Sequence, residues 1–173
     1  DVQEFHAYQY LVTARPDPQP EYGLTSIIIL THTQLGYTRE CLDSIRRLTD
    51  EPYELILVDN GSSDGTPDYL RSLPDVQLIA NVENRGFPAA ANQGILAAKG
   101  DQVLLLNNDT VVTTGWLGRL LRGLHTDPKI GLIGPCSNQV SGIQQVSVNY
   151  DSIGGLDGFA WDWGKRHDGL LED

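Results

Sequence analysis

Apolar and polar positions alternate along the chain in blocks that predict a regular succession of strands and helices. Ser26-Ile-Ile-Ile-Leu-Thr31 is short, continuous and β-branched. That is the pattern of a parallel strand buried on both faces. Over 37–48 the period becomes helical, with Cys41, Leu42, Ile45 and Leu48 on one stripe and Arg39, Asp43, Arg46 and Arg47 outside it. Glu54-Leu-Ile-Leu-Val-Asp59 predicts a second strand, followed by the turn sequence Asn60-Gly-Ser-Ser-Asp-Gly65. Thr66 is the expected N-cap of a short helix, with Pro67 at its first position and Asp68 near the positive end of its dipole. Residues 76–80 predict a third strand. After Asn84-Arg-Gly-Phe87, Pro88 opens a helix of small residues over 89–98, closed by Lys99 and Gly100.

Residues 103–106 predict a fourth buried strand that runs into Asn107, Asn108 and Asp109. Thr113 or Thr114 is the expected cap of a helix with Trp116, Leu117, Leu120, Leu121 and Leu124 on its apolar side. A fifth strand is expected at 130–133 and one more at 145–148, in a tail that is otherwise irregular beyond Cys136. This alternation predicts an α/β fold: a mostly parallel sheet flanked by helices.

The unusual polar residues fall at the carboxyl ends of the predicted strands. Thr31, His32 and Thr33 follow the first, Asp59 the second, Asn84 and Arg85 the third, and Asn107 to Asp109 the fourth. In a parallel sheet these ends share one edge, where open α/β folds bind ligands. Asp109, with Asn107 nearby, offers a partial oxygen shell of the kind that Mg²⁺ completes with waters and phosphates. Arg85 can neutralise a phosphate, and the Gly86 backbone can approach one. Asp59 can accept hydrogen bonds from a ribose or a base edge, with Asp64 seconding it. His32 can stack on a base or hydrogen-bond to it. Together these residues read as a site for a nucleoside diphosphate and a metal.

Composition narrows the choice. A chain of 173 residues with 40% hydrophobic content suits one domain with a real core. A net charge of −11 argues against a nucleic-acid partner, which wants a basic face. An acidic site still holds an anionic ligand when a divalent cation bridges the two. Cys41 and Cys136 form no CxxC pair, so no cysteine zinc site is expected. Two free thiols, with no signal peptide and no run of about 18 apolar residues, suit a cytoplasmic location. The glycine fingerprints of dinucleotide dehydrogenases and P-loop NTPases are both absent. The chain has no methionine, even at position 1, and reads as a segment of a longer protein. Cys41 is expected in the core, His125 as a partner for a helix dipole, and His6 and His167 on the surface. Trp161 and Trp163 read as a packing pair in preference to a sugar platform.

Four stretches, in order and at family spacing, carry a resemblance. They are Thr25-Ser-Ile-Ile-Ile-Leu-Thr-His-Thr33, Leu57-Val-Asp-Asn-Gly-Ser-Ser-Asp-Gly-Thr66, Asn84-Arg-Gly-Phe87 with Ala91-Asn-Gln-Gly94, and Leu106-Asn-Asn-Asp109. Together they resemble the glycosyltransferase family 2 enzymes of GT-A fold, over about residues 24 to 136. The resemblance implies an inverting, hexosyltransferase-type transfer from a nucleoside diphosphate sugar to a saccharide or other hydroxyl acceptor, with Mn²⁺ or Mg²⁺. It also points to a cell-envelope polysaccharide. Thr31 and His32 correspond to nucleotide contacts, Asp59 to the residue that reads the base, and Arg85, with Gly86, to the diphosphate side. Asn107 and Asp109 correspond to the outer members of the D-x-D motif, with Asn108 between them and Asp109 the metal ligand.

Departures accompany the match. Asn107 replaces a carboxylate, which suits a ribose contact and leaves a leaner metal shell. His32 stands where the family often has tyrosine. The family's general base is a downstream carboxylate, and Glu172 and Asp173 lack the glycine-rich segment that should precede it. On this reading residues 1–23, with Pro16, Pro18 and Pro20, are a linker or tether to other domains of a longer parent. Residues 24–136 are the nucleotide-sugar-binding domain. Residues 137–173 begin an acceptor-side region, and the chain is expected to be truncated before the acceptor half, leaving the catalytic base unknown. A non-catalytic nucleotide-binding or scaffold module is the alternative. A nucleotidyltransferase would want a basic, glycine-rich loop after the first strand, which Gln34-Leu-Gly36 does not supply.

Overall fold

The computed structural model of the chain describes residues 22–138 and 144–167. Its elements are β1 (Thr25–Thr31), α1 (Leu35–Leu48), β2 (Tyr53–Asn60), α2 (Thr66–Arg71), β3 (Val76–Asn81), α3 (Phe87–Ala97), β4 (Gln102–Asn107), α4 (Trp116–Leu124) and α5 (Ile153–Arg166). The four strands form one parallel sheet in the order β3-β2-β1-β4. The expected α/β architecture is therefore present, and every strand expected before residue 110 lies within two residues of its predicted bounds.

Period-2 alternation along β1 and β2 sorts the core into two layers. Ile27, Ile29, Leu55 and Leu57 pack on one face with Cys41, Leu42 and Ile45 of α1, Leu70 of α2, and Leu117 and Leu121 of α4. Ile28, Ile56 and Val58 pack on the other with Ala90 of α3. The small residues of α3 serve close approach: a Cβ at Gly94 would lie 2.3 Å from Ile28 Cγ2.

The sheet end away from the ligand edge is tied by polar groups. Ser26 Oγ donates to Glu54 Oε1 at 2.6 Å and accepts the Gly100 N–H at 2.8 Å, while Glu54 also accepts the Lys99 N–H at 2.7 Å. The Ser26 hydroxyl holds the Glu54 carboxyl below the usual carboxylate range.

Several local expectations are corrected. No strand forms at 130–133, and 145–148 contributes a single bridge, Ser137 to Gln145. Strand β4 is an edge of the sheet among the described residues. Val103 and Leu105 are 45% and 46% exposed, where a buried strand was expected. An apolar run predicts a strand but not its place in the sheet. Thr66 opens α2 but does not cap it; Asp64 Oδ1 accepts the Thr66 N–H at 3.0 Å. Neither Thr113 nor Thr114 caps α4, whose N-cap is Gly115; Thr114 bonds Asp157 instead, at 2.7 and 2.9 Å.

Helix α5 was not expected. Gly154, Gly155, Gly158 and Gly164 lower its propensity, and its apolar stripe of Leu156, Phe159, Ala160 and Trp163 is only half-buried. Its tryptophans are not a pair. Trp163 stacks between Phe159 and His167, whereas Trp161 lies beside Arg119 and Lys165. His167 is correspondingly half-buried instead of on the surface, with Nδ1 donating to the Trp163 carbonyl at 2.8 Å. The expected tether lies outside the described residues except for Tyr22 and Gly23, and so do His6, Glu172 and Asp173.

Cys41 is in the core as expected, and Cys136 is exposed. Burial, followed by the negative charge of Asp109, pushes the Cys41 thiol up to about 12. Only the thiolate reacts with disulfide reagents. Titration of the folded chain at pH 8 should therefore show one reactive thiol, Cys136, with Cys41 appearing only in denaturant. Two fast thiols in the folded chain would contradict the placement of Cys41.

Candidate functional site

The register of the sheet assembles the site before any side chain is considered. Thr31 lies opposite Asp59, Leu30 opposite Asn107, and Asn60 opposite Asn81. From β1 the sheet grows to β2 on one side and to β4 on the other. The end of β1 is thus a switch point, where the connections diverge and leave a crevice. A cleft of about 240 Å³ opens there, lined by Leu30, Thr31, His32, Asn60, Asn84, Phe87, Asn107 and Asn108.

Of the residues expected at the site, Thr31, His32, Asn107 and Asn108 line this cleft directly. Asp59 lies one hydrogen bond behind it. It is 3% exposed, and its Oδ1 accepts the Thr31 hydroxyl at 3.4 Å and the Ser62 N–H at 3.2 Å. Its Oδ2 has no hydrogen-bond partner among the described residues. A nearly buried carboxylate with a spare acceptor is suited to a ligand N–H or O–H.

His32 is fixed by a backbone group. Its Nδ1 is 3.1 Å from the Asn60 carbonyl. A carbonyl only accepts, so Nδ1 carries the hydrogen, and in the neutral ring Nε2 is an acceptor. The turn behind His32 holds two successive non-glycine residues in the left-handed region, Thr33 and Gln34, both at φ 61°. Such a conformation costs roughly 1–2 kcal/mol per residue and persists only where neighbours hold it. Ser62 Oγ accepts the Thr33 N–H at 2.7 Å, and Asp64 Oδ2 accepts the Leu35 N–H at 3.3 Å. Thr66, followed by the Leu35 N–H, holds the Asp64 carboxyl below its ordinary range. Asp64 therefore satisfies backbone donors at the starts of α1 and α2 and makes no contact that seconds Asp59.

Arg85 and Gly86 sit on the loop between β3 and α3, beside the cleft. Their backbone N–H groups turn inward: Arg85 N–H donates to Asn60 Oδ1 at 3.0 Å and Gly86 N–H to Asn84 Oδ1 at 2.9 Å. The Gly86 N–H is thus occupied within the loop. The Arg85 guanidinium is exposed and makes no ion pair among the described residues. It is the cationic group of the loop.

At the end of β4, Asn108 Nδ2 donates to Thr38 Oγ1 at 3.1 Å and ties the turn to α1. Asn107 and Asp109 alternate with it and are exposed. No cluster of three His, Cys, Asp or Glu side chains capable of caging a metal exists among the described residues. A lone exposed carboxylate flanked by amide oxygens fits a hard cation that draws most of its shell from waters and ligand phosphates, as Mg²⁺ commonly does. It does not fit zinc, which wants nitrogen and sulfur ligands.

A family model described as "Glycosyl transferase family 2" matches residues 26–157, which span the sheet, the cleft and part of α5. The chain belongs to glycosyl transferase family 2. Its mostly parallel sheet flanked by helices is of the GT-A type. Among curated relatives, the uncharacterised glycosyltransferase YwdF of Bacillus subtilis is 33% identical over 104 residues, covering 58% of this chain and 38% of that protein. The poly-beta-1,6-N-acetyl-D-glucosamine synthase of Staphylococcus aureus is 28% identical over 130 residues, covering 72% of this chain and 31% of that protein. A solved mannosyltransferase, PcManGT of Pyrobaculum calidifontis in complex with GDP-Man and Mn²⁺, superposes with a TM-score of 0.57 at 27% identity. That match covers 73% of this chain and 40% of PcManGT. The chain thus spans about a third of the length of these curated family members.

Sequence reasoning missed two features of the site. Phe87, 54% exposed, lines the cleft, although its position as the first residue of a helix facing the ligand edge was the available signal. The second is the role of Asn60. Its position directly after Asp59 suggested only a turn.

Proposed function

We propose that this chain is the donor-binding part of a glycosyltransferase that moves a hexose from a nucleoside diphosphate sugar to a saccharide or other hydroxyl acceptor, with inversion. The observation that carries the reading is the convergence of Thr31, Asp59, Arg85, Asn107 and Asp109 on one sheet edge, in a member of this family. Membership of the mannosyltransferase in the same fold, with its GDP-Man and Mn²⁺, supports a nucleotide-sugar ligand and a divalent cation here. A cell-envelope polysaccharide as product draws support from the staphylococcal synthase.

In this reading Asp59 Oδ2 accepts from the base, with Thr31 and Ser62 holding the carboxylate in place. Nε2 of His32 offers a second acceptor beside it. Asn107 contacts the ribose, and Asn108 fixes the turn that carries Asp109. Asp109 holds Mn²⁺ or Mg²⁺, which when bound neutralises charge on the departing diphosphate. Arg85 adds a second positive charge on the diphosphate side. The acceptor oxygen attacks the anomeric carbon from the face opposite the leaving group. No residue of this chain is assigned as the base that takes the acceptor proton, so the isolated chain is expected to bind donor without turnover. Residues 24–136 form the donor domain in this reading, 1–23 tether it, and 137–173 lead toward the acceptor side. The two unpaired thiols support a cytoplasmic setting.

Calorimetry of the folded chain with UDP, GDP and dTDP tests the proposal. At least one should bind, and Mn²⁺ or Mg²⁺ should strengthen binding about tenfold or more, which is ~1.4 kcal/mol. Failure of all three to bind, with metal present, would sink it.

A further inference from the structure

Asn60 has no part in the donor contacts proposed above, yet its amide is completely used. The side chain is almost wholly buried, at 5% exposure. Its Oδ1 accepts the Arg85 N–H at 3.0 Å and Asn81 Nδ2 at 3.2 Å. Its Nδ2 donates to Asn84 Oδ1 at 2.9 Å and to the Gly86 carbonyl at 3.4 Å. An amide has two donor hydrogens and two acceptor lone pairs, and here each has a partner. Three of the four bonds reach residues 84–86. The fourth reaches Asn81, which is itself locked to Gln93 of α3 by a reciprocal amide pair at 2.8 and 3.0 Å.

The neighbouring residue closes the same gap. Gly61 sits at φ 80°, and a Cβ there would lie 2.6 Å from the Glu83 carbonyl carbon and 2.8 Å from the Asn84 nitrogen. The end of β2 and the loop after β3 are therefore in backbone contact. The Asn60 carbonyl meanwhile holds the His32 ring. One residue thus sets both walls of the cleft, His32 through its main chain and the Arg85 loop through its side chain.

We infer that Asn60 is a positioning residue for the diphosphate end of the donor: its amide holds the exposed loop that aims the Arg85 guanidinium. The inference rests on the donor-site reading above. It has a consequence that a purely structural role does not. Loss of the amide frees residues 84–86, so it weakens contacts made through Arg85 and spares contacts made by Asp59 and Thr31. A general loss of packing would weaken both ends alike.

The test is a double-mutant cycle on this chain with Asn60→Ala and Arg85→Ala, read by calorimetry with Mn²⁺. The probes are whichever of UDP, GDP or dTDP binds, and the matching nucleoside monophosphate. Asn60→Ala should weaken the diphosphate about tenfold and the monophosphate less than about twofold, with little further loss when added to Arg85→Ala. Gly61→Ala, which forces the same loop outward, carries the same expectation and replaces Asn60→Ala should that variant not fold. Additive losses in the cycle, or equal losses for both probes, would overturn the inference while leaving the donor site standing. No binding by the unmutated chain would overturn the donor site and this inference together.

Discussion

Replacing Asp109 with alanine should weaken metal-dependent nucleoside diphosphate binding about 100-fold, equivalent to ~2.7 kcal/mol. The magnitude follows from the donor set. Asp109 is an exposed carboxylate at the end of β4, its neighbours Asn107 and Asn108 offer only neutral oxygens, and among the described residues no cluster of three acidic, His or Cys groups stands by to replace it. A hard cation held by one carboxylate and the ligand's phosphates loses its only charged protein ligand on that substitution. The substitution should leave folding intact, because Asp109 makes no hydrogen bond or ion pair among the described residues. Calorimetry with and without Mn²⁺ measures it. The residual affinity of Asp109→Ala should match that of the unmutated chain in chelator. Retention of the full metal effect would remove Asp109 from the metal site.

Gly94→Ala should cost stability where Gly36→Ala should not. Both glycines lie in helices, α3 and α1, and a helical Gly→Ala change is ordinarily stabilising by roughly 0.5–1 kcal/mol. A Cβ at Gly36 meets nothing within 4 Å, whereas one at Gly94 meets the branched Cγ2 of Ile28 at 2.3 Å. Ile28 is fully buried in the centre of the sheet and cannot swing aside. Moving α3 off β1 strains the core by about 2 kcal/mol, as overpacking typically does. Thermal melts should place Gly94→Ala roughly 4–8 °C below the unmutated chain and Gly36→Ala at or slightly above it. Equal melting temperatures for the two variants would show that α3 does not pack as closely as described. Because α3 starts at the Arg85-Gly86 loop, Gly94→Ala should also weaken nucleotide binding.

The site was only partly legible in the sequence. Polar residues at the ends of apolar runs marked Thr31, His32, Asn107 and Asn108, which line the cleft, because a parallel sheet collects strand ends. The same reasoning marked the Gly86 backbone, but not that its N–H is already bonded to Asn84. Asp64 was marked as a partner of Asp59, yet it satisfies backbone donors at two helix starts. Proximity in sequence says which residues are near a site and not which hydrogen bonds they have already made.

What the sequence determined by itself is the order and kind of the first four strands, the helices between them, and the edge on which the polar residues gather. These follow from local period and from the right-handed, parallel connectivity that βαβ units impose. Tertiary structure alone decided three things. β4 is an edge strand, because strand order depends on pairing between distant segments. Residues 153–166 are helical despite four glycines, with Asp157 bonded to Thr114. Asn60 joins β2, β3 and the Arg85 loop through one amide. Each rests on contacts between residues far apart in sequence, whose free energies no local pattern contains.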